Sequence, residues 1–195
     1  DLKKEYLDVT TTILSRSILN FFLNRLKVWD LKTNTGIDYF IANSKNVSER
    51  IKNNYQRDSV VIYPPVNIHR FEPNNQKQDY YFTSARLVPY KKIDIIVKAF
   101  SLLPQLKLIV SGDGPELEHL KKIATKNVTF VGFVDKSTLI DYTQKAKAYI
   151  LAAEEDFGIT SVEAQSCGTP VIALKKGGYL ETVLENKTGV FFDEQ

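Results

Sequence analysis

Residues Tyr80 to Glu116 read YYFTSARLVPYKKIDIIVKAFSLLPQLKLIVSGDGPE. Tyr80–Ala85 is a short apolar run, which predicts a strand. Lys92–Leu103 carries apolar residues at helical spacing, and Leu106–Ser111 predicts a second strand before the Gly112–Asp113–Gly114 turn. The alternation continues with helix Pro115–Thr125, strand Val128–Val134, helix Ser137–Ala146 and strand Lys147–Ala152. Helix Ile159–Ser166, strand Val171–Ala173, a short helix at Tyr179–Leu184 and strand Gly189–Phe192 complete it. Such alternation implies right-handed βαβ units, so the fold class is α/β: a Rossmann-like parallel sheet with helices on both faces. Ligands of such sheets bind beyond the carboxyl ends of the strands. Residues just after strands are therefore the candidate site.

Upstream the pattern is different. Ile13–Trp29 reads as an amphipathic helix extending toward Lys32, either docked on a neighbouring domain, the favoured reading, or lying as a basic helix on a membrane surface. Ile37–Ser44 predicts a buried strand, Val47–Tyr55 a helix with Ser44 as its N-cap, and SVVIYPPV a strand stopped by Pro64 and Pro65. The polar stretch EPNNQKQD, residues 72–79, is expected to be a linker. The chain thus divides into residues 1–71, a linker 72–79, and an α/β domain 80–195.

Composition narrows the function classes. With 26 basic and 23 acidic residues the net charge is only +3, which argues against a dedicated nucleic-acid surface. Cys167 is the only cysteine, so no disulfide forms within the chain and a reducing, cytoplasmic compartment is expected. No uncharged apolar run reaches the ~18–20 residues needed to span a bilayer. The chain has no methionine and begins at Asp1, so a fragment or processed chain is expected.

After the fourth strand of the α/β domain comes EEDFGITSVEAQSCGTPVIA, residues 154–173, in which seven residues separate Glu155 from Glu163. One glutamate then precedes the helix and the other lies on it, so two carboxylates and free helix N-terminal amides can face one crevice. Carboxylates suit sugar and ribose hydroxyls, and amides suit a phosphate. Thr160 and Glu163 also fit a capping box, a competing structural role for the glutamate. After the first strand, Arg86 leaves the strand end and Lys91 and Lys92 open the next helix. Cations there oppose the helix macrodipole, so the reading is either a diphosphate clamp or a solvated charge cluster. Gly112 lies in a tight turn whose backbone can approach a ligand, although a purely structural turn fits as well. Gly132 and Phe133 border a base slot or simply end a strand. The triplet Glu154, Glu155, Asp156 lacks a histidine or a spaced Asp-x-Asp partner, so no metal is expected. His69 and His119 read as surface residues, and Cys167 as a small residue at a packed helix end.

These segments together resemble the retaining GT-B glycosyltransferases, the large nucleotide-sugar-dependent group 1 family. The matching residues are ARLVPYKKIDIIVKAF, VSGDGPE, VTFVGFV, EEDFGITSVEAQSCGTPVIA, KKGGYLETV and KTGVFF, with DYFIANS and VIYPPVNIHRF upstream. The wording of EDFG and RLVPYKK is closest to mannosyltransferase-like members. The resemblance implies that Arg86 and Lys91 hold the donor diphosphate, that Glu155 contacts the donor sugar, and that Glu163 hydrogen-bonds the ribose. Phe157, Gly158, Ile159 and Thr160 would lie close to sugar and phosphate, with Gly112, Gly132 and Phe133 completing the donor site. The donor, a nucleotide-diphosphate sugar such as GDP-mannose, is a substrate, and no further cofactor is implied. The acceptor would be a glycan or lipid-linked molecule, at the cytoplasm or the inner membrane face.

Two features of that family have no counterpart here: the N-terminal glycine-rich loop with its site histidine, and the helices that follow the TGVFF strand. The expectation is a piece covering the hinge and most of the donor domain, inactive alone and prone to self-association through apolar surface near Ile13–Trp29. A nucleotide-sugar epimerase of the same architecture and a non-catalytic nucleotide-sugar-binding module are the alternatives.

Overall fold

The structure, a computed structural model, describes residues 13–193; the outer ends of the two expected domains, 1–12 and 194–195, lie outside the described residues. The chain forms two compact units that divide between Tyr63 and Pro64.

The first unit contains α1 (Ile13–Thr33), β1 (Phe40–Ala42), α2 (Lys45–Tyr55) and β2 (Ser59–Val61). The two strands pair in parallel, Phe40 opposite Ser59. Helix α2 starts where the sequence places its cap: Ser44 Oγ accepts a hydrogen bond from the Val47 amide at 3.0 Å. Phe40 stacks on Tyr55 with ring centroids 5.6 Å apart. The Arg57 guanidinium lies 5.3 Å from the Phe40 centroid and donates to the carbonyls of Asn34, Ile37 and Asp38. Helix α1 has the expected extent, but its large apolar residues are not gathered on one narrow stripe. Phe21, Phe22, Leu26, Val28 and Trp29 are each more than half exposed. Neighbouring residues on a helix sit about 100° apart, so the pairs Phe21/Phe22 and Val28/Trp29 cannot share one narrow face.

The second unit is built on six parallel strands: β3 (Tyr81–Ser84), β4 (Leu108–Ser111), β5 (Val128–Gly132), β6 (Tyr149–Leu151), β7 (Val171–Leu174) and β8 (Gly189–Phe192). Their spatial order is β5-β4-β3-β6-β7-β8. Helices α3 (Ile93–Ser101) and α4 (Leu117–Ile123) bury Ile96, Val97, Phe100 and Leu120 against Leu108, Val110 and Ile150 on one face. Helices α5 (Lys136–Lys145), α6 (Ile159–Ser166) and α7 (Tyr179–Thr182) cover the other, around Phe82, Tyr149, Ala164, Val171 and Tyr179. The winding direction reverses between β3 and β6, so their following loops part to opposite faces and leave a crevice, the usual ligand position in doubly wound sheets.

The polar stretch 72–79 is not a free tether. Asn74 N–H donates to Cys167 O, Gln78 N–H to Lys145 O, and Gln144 Nε2 to Glu72 O. Lys77 Nζ donates to Gln144 O at 2.7 Å and to Thr169 Oγ1 at 2.8 Å. Its polarity serves hydrogen bonds to the α/β unit, which is why the units separate earlier, ahead of Pro64 and Pro65.

Candidate active site

A cavity of about 180 Å³ opens at the carboxyl ends of β3 and β6, at the reversal point of the sheet. Four sequence-predicted residues line it together: Arg86, Lys91, Glu155 and Thr160. Its walls are completed by Ser84, Ala85, Ile93, Ala152, Ala153 and Tyr179 among others.

Arg86 and Lys91 belong to the loop from β3 to α3. Lys91 closes a short 3₁₀ turn, Pro89–Lys91, and Lys92 stands at the N-cap of α3 with φ 55. Lys91 Nζ pairs with Glu155 Oε1 across the crevice. Arg86 has no ion-pair partner among the described residues, so its five donors are available to a ligand. The Gly112–Gly114 turn supports this loop from behind. A Cβ on Gly112 would lie 1.9 Å from Ala85 O, and one on Gly114 2.4 Å from Leu87 O. Leu87 N–H donates to Asp113 O, and Glu116 N–H to Leu87 O. Gly112 therefore does not line the cavity; it lets the backbone carrying Arg86 pack against β4.

Glu155, Phe157 and Gly158 lie in the loop from β6 to α6. Gly158 is the N-cap of α6 with φ 85, and no side chain caps the helix. This overturns the capping-box reading: Thr160 is already inside the helix, and Glu163 lies beyond the first turn. Glu163 is half-buried, and burial pushes its carboxyl above the ordinary value while Lys136 opposes the shift. It stands one turn along α6 from Thr160 and does not line the cavity. Phe157, Gly158 and Ile159 precede Thr160 in the chain and are not among the cavity's lining residues. The first-turn amides of a helix have no acceptor within it, so this end suits an anion.

A third loop joins the site, one to which the residues alone assign no role. Gly177 and Gly178, between β7 and α7, pack directly on the acidic loop. A Cβ on Gly177 would stand 2.5 Å from Glu155 O, and one on Gly178 2.4 Å from Phe157 Cα. Gly178 N–H donates to Glu155 O at 2.7 Å, and Lys176 pairs with Glu154 at 3.1 Å. The Gly-Gly pair beside a lysine is the available signal, since only glycine allows two backbones this close.

Gly132 and Phe133 sit farther out, at the end of β5. Gly132 O accepts from Gly112 N–H at 2.8 Å and from Ser111 Oγ at 3.1 Å. Phe133 is 85% exposed. Asp135 caps α5 by accepting from Thr138 N–H, and its bonds from Ser137 and Thr138 hold its carboxyl down at about 2. His69 and His119 are exposed, and Cys167 is fully buried at the end of α6. Among the described residues, no group of three or more His, Cys, Asp or Glu side chains is placed to hold a metal ion. No helix among them is long and apolar enough to cross a membrane.

The sheet order and crevice define a GT-B-type α/β domain, and solved structures agree. Sucrose-phosphate synthase from Thermosynechococcus elongatus superposes with a TM-score of 0.72 at 26% identity, over 81% of this chain and 46% of that one. HepE from Anabaena in complex with UDP-glucose gives a TM-score of 0.71 at 24% identity, over 80% of this chain and 50% of that one, and shows the fold. Residues 65–195 match the family model described as Glycosyl transferases group 1, and the chain belongs to that family. A GDP-mannose-dependent alpha-(1-6)-phosphatidylinositol monomannoside mannosyltransferase from Mycolicibacterium smegmatis is 32% identical over 126 residues, 56% of this chain. A D-inositol 3-phosphate glycosyltransferase from Mycobacterium sp. (strain JLS) is 27% identical over 182 residues, 80% of this chain. The chain spans only 33% and 41% of the length of these two relatives.

Proposed function

We propose that this chain is the donor-binding side of a retaining glycosyltransferase that moves a hexose, with mannose as first choice, from a nucleotide diphosphate to a glycan or lipid-linked acceptor. One observation carries the reading: an unpaired guanidinium, a lysine, a carboxylate and a helix start meet around one crevice at the reversal point of the sheet. The diphosphate lies against Arg86 and Lys91, with the amides at Ile159 and Thr160 behind it. Negative charge that develops on the departing nucleotide is met there by donors already in place, so little reorganisation is needed at the moment of transfer. Glu155 accepts from sugar hydroxyls. Donor binding brings phosphate oxygens to Lys91, which then shares its donors between them and Glu155.

Farther along α6, Glu163 takes the ribose hydroxyls, and the base lies beside Gly132 and Phe133. Mannose and guanine rest on the motif wording and on the GDP-mannose-dependent relative. Retention rests on the resemblance of the two-glutamate motif. The acceptor is held by sequence corresponding to the remaining length of the relatives, and transfer requires that second wall because positioning supplies much of the rate.

The test is thermal denaturation with a nucleotide panel. At tenfold excess over Kd a ligand stabilises by about 1.4 kcal/mol, a rise of a few degrees for a unit of this size. GDP or GDP-mannose should raise the melting temperature, and Arg86→Ala or Lys91→Ala should abolish the rise. No response to any nucleoside diphosphate or its sugar at millimolar concentration sinks the proposal.

A further inference from the structure

We infer that Tyr179 is a specificity-determining residue whose hydroxyl donates to the same sugar hydroxyl that donates a hydrogen bond to Glu155. The inference rests on the donor-site reading above. Tyr179 and Glu155 line the same cavity, on loops that follow neighbouring strands β7 and β6. The Tyr179 ring is only 1% exposed, and its hydroxyl has no hydrogen-bond partner among the described residues. A phenol without a protein partner, on a residue that lines a cavity, is a donor available to a ligand atom.

The other two buried phenols of this core, Tyr80 and Tyr149, show the contrast: the Tyr80 hydroxyl donates to Tyr142 O at 3.0 Å. The Tyr149 hydroxyl donates to Ser84 O at 3.2 Å and is already committed. Thr83 is committed too, donating to Ile150 O at 2.9 Å. The ring of Tyr179 is fixed in place: a Cβ on Gly158 would come within 2.7 Å of its Cδ1 and Cε1, so the ring occupies the space that glycine leaves. A fixed donor selects better than a mobile one because less freedom is lost on binding.

The chemistry of the pair is complementary. An ionised carboxylate only accepts, so a sugar hydroxyl that donates a hydrogen bond to Glu155 still has lone pairs to fill. Tyr179 stays protonated and can fill one, since burial first and the Glu155 charge second push its pKa well above the ordinary phenol value. One hydroxyl is then read as both donor and acceptor. A bare nucleoside diphosphate has no such hydroxyl at this end of the cavity.

The experiment is calorimetric titration of the chain and of Tyr179→Phe with GDP, GDP-mannose, UDP and UDP-glucose, beside thermal denaturation of both proteins without ligand. Phenylalanine keeps the ring and removes only the hydroxyl. The expected result is a loss of about 5–10-fold in affinity for the preferred sugar nucleotide, the worth of one neutral hydrogen bond, with its bare nucleotide within twofold. The unliganded variant should melt no lower than the parent. Equal losses for bare and sugar-bearing nucleotides would mean a structural role and overturn the inference. So would an unchanged affinity for the sugar nucleotide, or a parent chain that binds bare and sugar-bearing forms alike. If the parent binds none of the four, the donor-site reading falls and this inference falls with it.

Discussion

Gly112→Ala should be far more damaging than its position in a surface turn implies. Gly112 has φ 131, and a methyl there would stand 1.9 Å from Ala85 O, where real contacts do not fall below 3.0 Å. The difference, 3.0 − 1.9 = 1.1 Å, must come from backbone, because the obstacle is a carbonyl on the loop carrying Arg86. The strained dihedral costs about 1–3 kcal/mol and the overpacking about 1–3 more. Alanine returns about 0.4–1 kcal/mol by restricting the unfolded chain. The net is roughly 2–5 kcal/mol out of a typical total of about 5–15, so a fall in melting temperature on the order of 10 °C follows. Two other glycines calibrate the number. Gly132 has φ 70 with nothing within 4 Å of an added methyl, and Gly36 has neither an unusual φ nor a neighbour. Gly132→Ala should cost about 1–2 kcal/mol of dihedral strain alone, and Gly36→Ala within about 0.5 kcal/mol of nothing. Thermal denaturation of the three variants reads the series. If Gly112→Ala melts within about two degrees of the parent, or no lower than Gly132→Ala, the close packing behind Arg86 is wrong.

Three further outcomes are accessible to the same material. Burial raises the Glu163 pKa, so the folded state holds that proton more tightly than the unfolded state, and stability falls as pH rises through the folded value. Glu163→Gln should therefore gain melting temperature over the parent between pH 4 and pH 7; a gap that stays constant or shrinks contradicts this. Burial pushes the Cys167 thiol up to about 11, so a disulfide reagent at pH 8 should label it slowly in the native chain and rapidly in denaturant; fast native labelling would refute its burial. Lys77→Ala removes the bonds to Gln144 O and Thr169 Oγ1 and should destabilise by about 1–3 kcal/mol in denaturant unfolding. A cost within error of zero would restore the view of residues 72–79 as a free linker.

What can be read from the residues and what cannot divides along sequence separation. Helix Ile159–Ser166 and strand Gly189–Phe192 have the predicted bounds, and Ser44 is the predicted cap, because each depends on a few neighbouring side chains. The meeting of Arg86, Lys91, Glu155 and Thr160 also follows from placing each after a strand, since all strands end on one side of a parallel sheet. Longer-range facts are hidden. Nothing near Lys77 indicates that it reaches Gln144 and Thr169, so a polar run reads as solvent-facing. The capping box fails for a conformational reason: Gly158 in the left-handed region starts the helix before Thr160. From the residues alone Tyr179 is only the start of a short helix, because its place in the cavity depends on the fit between its ring and Gly158, twenty-one residues away in sequence.

The most direct test of the donor site is a crystal structure of the chain with GDP-mannose or GDP bound. The diphosphate is expected between the ends of β3 and β6, with its oxygens within hydrogen-bond distance of Arg86 and Lys91, and the ribose against Glu163. A nucleotide bound elsewhere on the chain, or a diphosphate in the crevice that touches neither cation, would contradict it.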